Sequence, residues 1–277
     1  MSTMTQHDVE SFEHPGDGLF ADDAVKAAYH LALLEWPYSR HVAWQNHHGP
    51  DGEVDAAAAF YNLSRPTIVF LLGDAYGVGC CLESADLPEF AYLAFFPEHR
   101  PVLDRFYDLP GPVEMVRMLI HRRSLDLRTG RDRAGRRLAV ELGHKELPAL
   151  LDLYSLASDL RPDPYQFERG GYLGIFDSGT LVAAAGTHFV SENSSFAMIG
   201  NVFTHPDHRR RGLARDAVAA LVRRLMQRVD RVCLNVRSDN TAAVKLYESL
   251  GFAAHCTYRE GTSVLCPRLH GIAANAG

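Results

Sequence analysis

The stretch that decides the fold is Ile199-Gly200-Asn201-Val202-Phe203-Thr204-His205-Pro206-Asp207-His208-Arg209-Arg210-Arg211-Gly212-Leu213-Ala214. It reads as a strand, a short loop rich in arginine, and a helix whose first turn starts at a residue without a side chain. A helix N-terminus presents unpaired N–H groups and the positive end of the macrodipole, so it is a ready anion site. Gly212 and the small Ala214 let a bulky diphosphate approach the backbone. Arg209, Arg210, Arg211 and Arg215 place positive charge close by.

Working outward, the set Leu213, Ala217, Leu221, Leu225 and Met226 recurs every three to four residues, which predicts a long amphipathic helix. A strand over Arg231 to Val236 follows. Next stands Asn235-Val236-Arg237-Ser238-Asp239-Asn240-Thr241-Ala242-Ala243-Val244-Lys245-Leu246-Tyr247-Glu248-Ser249-Leu250-Gly251-Phe252. Asn240 suits the N-cap of a helix over Asn240 to Leu250, Gly251 its C-cap, and Tyr247 lies two turns along, aimed back toward the loop. Upstream, Leu138 to Leu142 reads as a strand and Lys145 to Ala157 as a helix. Tyr172 to Phe176 and Leu181 to Val190 form a hairpin about Asp177-Ser178-Gly179. Ala197 to Phe203 and Ala253 to Arg259 are further strands. The order from Leu138 is β, α, β, β, β, α, β, α, β.

These two segments, in this order and spacing, resemble the acetyl-CoA-binding core of the GNAT superfamily of N-acyltransferases. The resemblance covers about Leu138 to Tyr258 and rests on Arg-x-x-Gly-x-Ala at 209–214 and Asn-x-x-Ala-x-x-Leu-Tyr-x-x-x-Gly-Phe at 240–252. Ala185-Gly186-Thr187-His188 ahead of Ile199-Gly200-Asn201-Val202 is similar to the two-part branch that includes the glycine N-acyltransferase-like proteins, whose N-terminal half is a degenerate copy of the fold. The implied fold class is α/β, an α+β mixed sheet with splayed central strands. The implied domains are residues 1–130, degenerate and GNAT-like or mixed α/β, and 137–277, catalytic.

The resemblance implies acetyl-CoA as cosubstrate, with no metal, and direct acyl transfer to the amine of a small molecule, amino acid or peptide in a ternary complex. The pantetheine arm would lie along Val202, Phe203 and Thr204, and the amides from Arg209 through Arg210, Arg211, Gly212 and Leu213 to Ala214 would hold the diphosphate. Asn235 and Asn240 belong to the same expected cofactor site. Tyr247 matches the family's general acid and the Val202 N–H its oxyanion donor. Many members carry an acidic residue where Asn201 stands, and an amide cannot accept a proton, so the base is left open among His188, Glu168, Glu192 and a relaying water.

Before a basic seam at Arg128 to Arg137, read as a linker, the same plan recurs more weakly. Asp23 to Trp36 is helical, Thr67 to Leu72 and Gly77 to Leu82 pair as a hairpin, Phe90 to Phe96 is a strand with helical residues through Tyr107, and Glu114 to Ile120 is a strand. Pro97-Glu98-His99-Arg100 echoes Pro206-Asp207-His208-Arg209. Aligned so, Leu103 with Pro101 beside it takes the place of Gly212, and the first half is predicted to bind no CoA, leaving one equivalent per chain.

Composition narrows the function classes. Of the 277 residues, 47% are hydrophobic and 22% charged, an ordinary globular balance. The formal net charge of −6 gives no global attraction to nucleic acid or an anionic membrane. Five cysteines without CxxC spacing fit a reducing compartment, and the acidic opening through Asp17 is unlike a secretory signal, so a cytoplasmic protein is expected. No apolar run approaches the ~20 residues of a membrane span. His41, His47 and His48 read as a surface loop rather than a metal site, and the Ser-elbow and dinucleotide signatures are missing. The small-residue tail from Gly271 reads as loose, and a homodimer is left open. Two functions stay open: an enzyme acylating an amine, and a non-catalytic acyl-CoA-binding regulatory module that kept the cradle and lost its base. The acceptor pocket is expected after Leu142, around Asp159 to Gly170.

Overall fold

The computed structural model describes residues 18–21, 23–35, 37–124, 138–157, 167 and 171–267. The linker at 128–137, Glu168, residues 159–166 of the expected acceptor region and both chain ends lie outside the described residues. In chain order the elements are α1 (Gly18–Ala21), α2 (Ala28–Leu34), β1 (Val42–His48), β2 (Val54–Tyr61), β3 (Thr67–Gly73), α3 (Ala75–Ser84), β4 (Phe90–Phe95), α4 (Arg100–Leu103), β5 (Tyr107–Asp108) and β6 (Val113–His121). They continue with β7 (Val140–Glu141), α5 (Leu147–Ser155), β8 (Tyr172–Asp177), β9 (Thr180–Ser191), β10 (Phe196–Thr204), α6 (Leu213–Leu225), β11 (Arg231–Arg237), α7 (Thr241–Glu248) and β12 (Ala253–Leu265). Among the described residues no helix is long and apolar enough to cross a membrane.

Two compact units form, and neither is a contiguous half of the chain. One comprises Met1–Asp22, Tyr38–Pro112 and Arg259–Gly277; the other comprises Asp23–Pro37 and Val113–Tyr258. The division expected at 130/137 therefore differs from the compact units: β6 and α2 belong to the second unit, and the end of β12 belongs to the first. The reason is strand pairing that no local pattern reveals. β6 pairs antiparallel with β11, Arg117 opposite Asn235, while Arg259 to Val264 pair antiparallel with β4.

In the second unit the strand order is β12-β6-β11-β10-β9-β8-β7. Alternation along β10 divides its neighbours. Ala197 and Ile199 pack with Leu213, Ala217, Leu221 and Tyr247 of α6 and α7, whereas Phe196 and Met198 pack with Val25 and Ala28 at α2. Residues Leu150, Leu153 and Tyr154 of α5 pack with Tyr172, Leu181 and Ala184. The first unit has the order β1-β2-β3-β4-β12 and a core from Ala56, Phe60, Val69, Leu71, Val78, Leu82, Leu93 and Phe95.

Three expectations for the first unit are corrected. Gly77 to Leu82 is not a strand but part of α3, because the Asp74 side chain accepts from the Gly77 N–H at 2.7 Å and starts a helix there. His47 and His48 lie on β1, not in a loop. The Pro97 echo is real as a motif but out of register as a repeat. Each unit has a three-stranded antiparallel meander, a helix, then a strand parallel to the meander's last: β1-β2-β3, α3, β4 in one, and β8-β9-β10, α6, β11 in the other. Pro97 follows β4, the counterpart of β11, so the place of Gly212 falls at Asp74 rather than Leu103.

Candidate active site

The site begins where two strands part. β10 and β11 pair in parallel from Phe196 with Arg231 to Ile199 with Leu234, and their pairing ends there, although β10 runs on to Thr204 and β11 to Arg237. The ladder to β9 shifts register between Gly200 and Phe203. Within that shift Asn201 adopts φ +50°, a left-handed conformation uncommon outside glycine. The Asn201 Nδ2 donates to the Tyr172 hydroxyl at 2.7 Å, and the Tyr154 hydroxyl donates to the Asn201 carbonyl. Gly200 has no side chain because a Cβ there would lie 1.8 Å from His188 Nε2, so the half-buried imidazole rests over its backbone. Past Ile199, β10 has no ladder to β11 among the described residues. The buried Thr204 hydroxyl has no hydrogen-bond partner among the described residues.

After β10 the chain turns through Pro206–His208, with His205 accepting from the Asp207 N–H at 3.3 Å. Arg210 has φ +61° and Gly212 φ +79°. Gly212 is the N-cap of α6 without a side-chain cap, and a Cβ there would meet nothing within 4 Å. The glycine thus serves the backbone conformation and leaves open space at the helix start, where the unpaired N–H groups of the first turn suit an anion. The arginines are less free than their sequence suggests. Arg211 binds Asp177 at 3.2 Å and His208 Nδ1 at 2.9 Å, Arg209 lies 5.7 Å from the Phe203 ring centroid, and Arg215 reaches Ser249 Oγ at 3.4 Å. Exposed Arg210 keeps no carboxylate partner among the described residues.

Tyr247 comes from α7, whose N-cap Asn240 accepts from the Ala243 N–H at 3.2 Å. The ring is 7% exposed, edge-on to Phe252, and belongs to the apolar cluster against which Val202 packs. Burial pushes its pKa up to about 12. Packing and proton retention are therefore one fact here: the phenol is neutral at any ordinary pH.

The remaining expected residues separate. Asn235 Oδ1 accepts from Arg117 Nε at 2.9 Å, and its Nδ2 reaches Tyr29 Oη at 2.9 Å and Met198 Sδ at 3.2 Å. Arg117 is 1% exposed, 4.8 Å from the ring centroids of both Tyr29 and Tyr258, and donates to the Val25 and Lys26 carbonyls. The Asn235 side chain is thus committed to tying α2 to the sheet. Glu192 pairs with Arg228 at 2.7 Å on an exposed surface, which leaves His188 as the described base candidate beside the strand break. Sequence reasoning missed Tyr154 and Tyr172, whose hydroxyls meet at Asn201, and Arg117, a lone cation in the apolar run of β6.

In the first unit the corresponding helix start is capped by a protein carboxylate, the Asp74 side chain accepting from the Gly77 N–H at 2.7 Å. Gly73 has φ +105°, and a Cβ there would lie 2.4 Å from the Asp55 carbonyl. Asp74 puts a carboxylate on the start of α3. The echoed His99 is fully buried, with Nε2 2.9 Å from the Gly73 carbonyl. His47 meets Asp55 at 2.6 Å.

Residues 144–252 match the model of the Acetyltransferase (GNAT) family. Among curated proteins, the chain is 38% identical over 88 residues to the [Ribosomal protein bS18]-alanine N-acetyltransferase of Escherichia coli K12. That match takes in 31% of this chain and 57% of that protein, so the chain spans a little over half the length of the curated relatives it matches. Among solved structures, a GCN5-related N-acetyltransferase from Kribbella flavida superposes with TM-score 0.61 at 17% identity, covering 89% of this chain and 96% of that one. A tandem GNAT protein from the clavulanic acid biosynthesis pathway gives TM-score 0.55 at 13% identity, covering 86% of each. At such identities these structures speak to fold alone. Residues 144–252 match the GNAT acetyltransferase family and carry its fold.

Proposed function

We propose that the protein is an N-acyltransferase that moves the acetyl group of acetyl-CoA to an amine by direct attack. The observation that carries this is the parting of β10 and β11 after Ile199 beside the open, left-handed start of α6. The residues present suit the coenzyme. A Cβ at Gly212 would meet nothing within 4 Å, and the buried Thr204 hydroxyl has no hydrogen-bond partner among the described residues. Amides of Arg209 to Ala214 would hold the diphosphate, and Val202 and Thr204 the amide-bearing arm. Acetyl-CoA supplies the activated acyl group. The chain supplies a proton held on Tyr247 for the departing sulfur, an N–H at Val202 for the carbonyl oxygen, and an imidazole at His188 to take a proton from the attacking amine.

The curated relatives' name, an alanine N-acetyltransferase acting on a ribosomal protein, supports an amine at the end of a peptide as acceptor class. The first unit is proposed to be a degenerate copy that binds no coenzyme, since the Asp74 carboxylate already caps the start of α3. The phrase Ala185 to His188 and the two-unit layout support placement in the glycine N-acyltransferase-like branch.

The test is free-thiol release from acetyl-CoA across a panel of amines and N-terminal peptides, with Tyr247→Phe alongside. Acceptor-dependent thiol release that falls about a hundredfold in the variant is expected. Stoichiometric CoA binding with no turnover on any amine would favour the non-catalytic reading.

A further inference from the structure

Asn201 raises a question that its residue type does not answer: why a strand residue should be held at φ +50°. Left-handed conformations cost free energy for any residue with a Cβ, least for Asn, and persist where the surroundings over-determine them. Here both ends of the residue are tied. The carbonyl accepts from Tyr154 on α5, and the side-chain amide donates to Tyr172 on β8. Both tyrosines are fixed in turn. Tyr154 is 1% exposed and edge-on to Phe203; Tyr172 is 0% exposed, its ring against Gly186, where a Cβ would lie 2.5 Å from Cε1. If Asn201 were extended, β10 could continue straight and lengthen its ladder to β11 beyond Ile199, which would close the gap.

We propose that Tyr154 and Tyr172 are positioning residues that clamp Asn201 in its left-handed conformation and so keep β10 and β11 apart. This rests on the reading of that gap as the coenzyme slot. It gives Asn201 a conformational role, carried by its backbone and by both of its hydrogen bonds. It also gives α5 a direct tie to the strand break, through one phenol.

The experiment is CoA binding by titration calorimetry with steady-state kinetics on wild type, Asn201→Gly, Asn201→Val, Tyr154→Phe and Tyr172→Phe, each checked for cooperative melting. Glycine accepts positive φ and β-branched valine resists it, so Asn201→Gly is expected to bind CoA about tenfold more tightly than Asn201→Val. Each Phe variant is expected to weaken CoA roughly tenfold, the effect of one buried hydrogen bond, with KM for acetyl-CoA rising more than kcat falls. Equal CoA affinity for the Gly and Val variants, or folded Phe variants with wild-type KM, would overturn the clamp. Asn201 variants that keep CoA affinity and lose kcat alike would overturn it in favour of a chemical role. Wild-type protein that binds no CoA would instead overturn the coenzyme reading itself.

Discussion

Replacing Gly212 separates the backbone's part in the cradle from that of open space. The φ of +79° costs a residue with a Cβ about 1 kcal/mol, so Gly212→Ala and Gly212→Glu should lose that much stability alike, a melting shift of roughly 2–4 °C. Neither variant's Cβ meets protein, since a Cβ at Gly212 has nothing within 4 Å. They differ in charge. A carboxylate about 5 Å from a diphosphate charge, at an effective dielectric of ~20 to 40, is repelled by roughly 2 to 3 kcal/mol. CoA should therefore bind the Glu variant roughly 30- to 150-fold more weakly than the Ala variant. Calorimetric titration of both, with melting curves, measures this, and the difference should shrink at high salt. Glu and Ala variants of equal CoA affinity would show that no diphosphate sits at this helix start.

Other perturbations probe the surrounding chemistry. His188→Gln keeps a polar side chain over Gly200 and is expected to lower kcat by about 10² and flatten the acidic limb of the kcat/KM profile; an unchanged limb would remove His188 as base. Arg117→Met strips donors from the Val25 and Lys26 carbonyls and from Asn235, and should cost about 2 to 4 kcal/mol in urea unfolding, with a loss under 1 kcal/mol contradicting the tie to α2. Burial pushes the Cys81 and Cys233 thiols up to about 12. An unfolded chain ionises them near 8.5, so their contribution is full below that pH and is lost as pH rises toward 12, by at most about 1.4 kcal/mol per pH unit for each thiol. Cys233→Ala should make alkaline unfolding less steep; an identical slope would contradict the assignment.

Much of the second unit was legible because its signals are local. The three-to-four spacing from Leu213 to Leu225, the Asn240 cap and the Gly251 stop each depend on neighbours within a few turns, and β10, α6, β11 and α7 stand where those patterns place them. What was not legible depends on long-range pairing. Nothing near Glu114 or Arg259 says that β6 will join β11 or that the end of β12 will join β4. Gly77 to Leu82 is apolar enough for a strand, and only the Asp74 cap shows that it is helical. Four successive buried alanines, Ala56 to Ala59, carry too little hydrophobic contrast to announce β2. At the candidate site, the left-handed helix start is written in Gly212, whereas the left-handed Asn201 is tied to tyrosines 29 and 47 residues away.

The most direct measurement is a crystal structure of the protein with acetyl-CoA bound. One coenzyme per chain is expected, its diphosphate on the amides between Arg209 and Ala214, its arm between β10 and β11 past Ile199, and its sulfur beside the Tyr247 hydroxyl. A coenzyme seated elsewhere, or the two strands closed upon each other in its presence, would contradict that expectation.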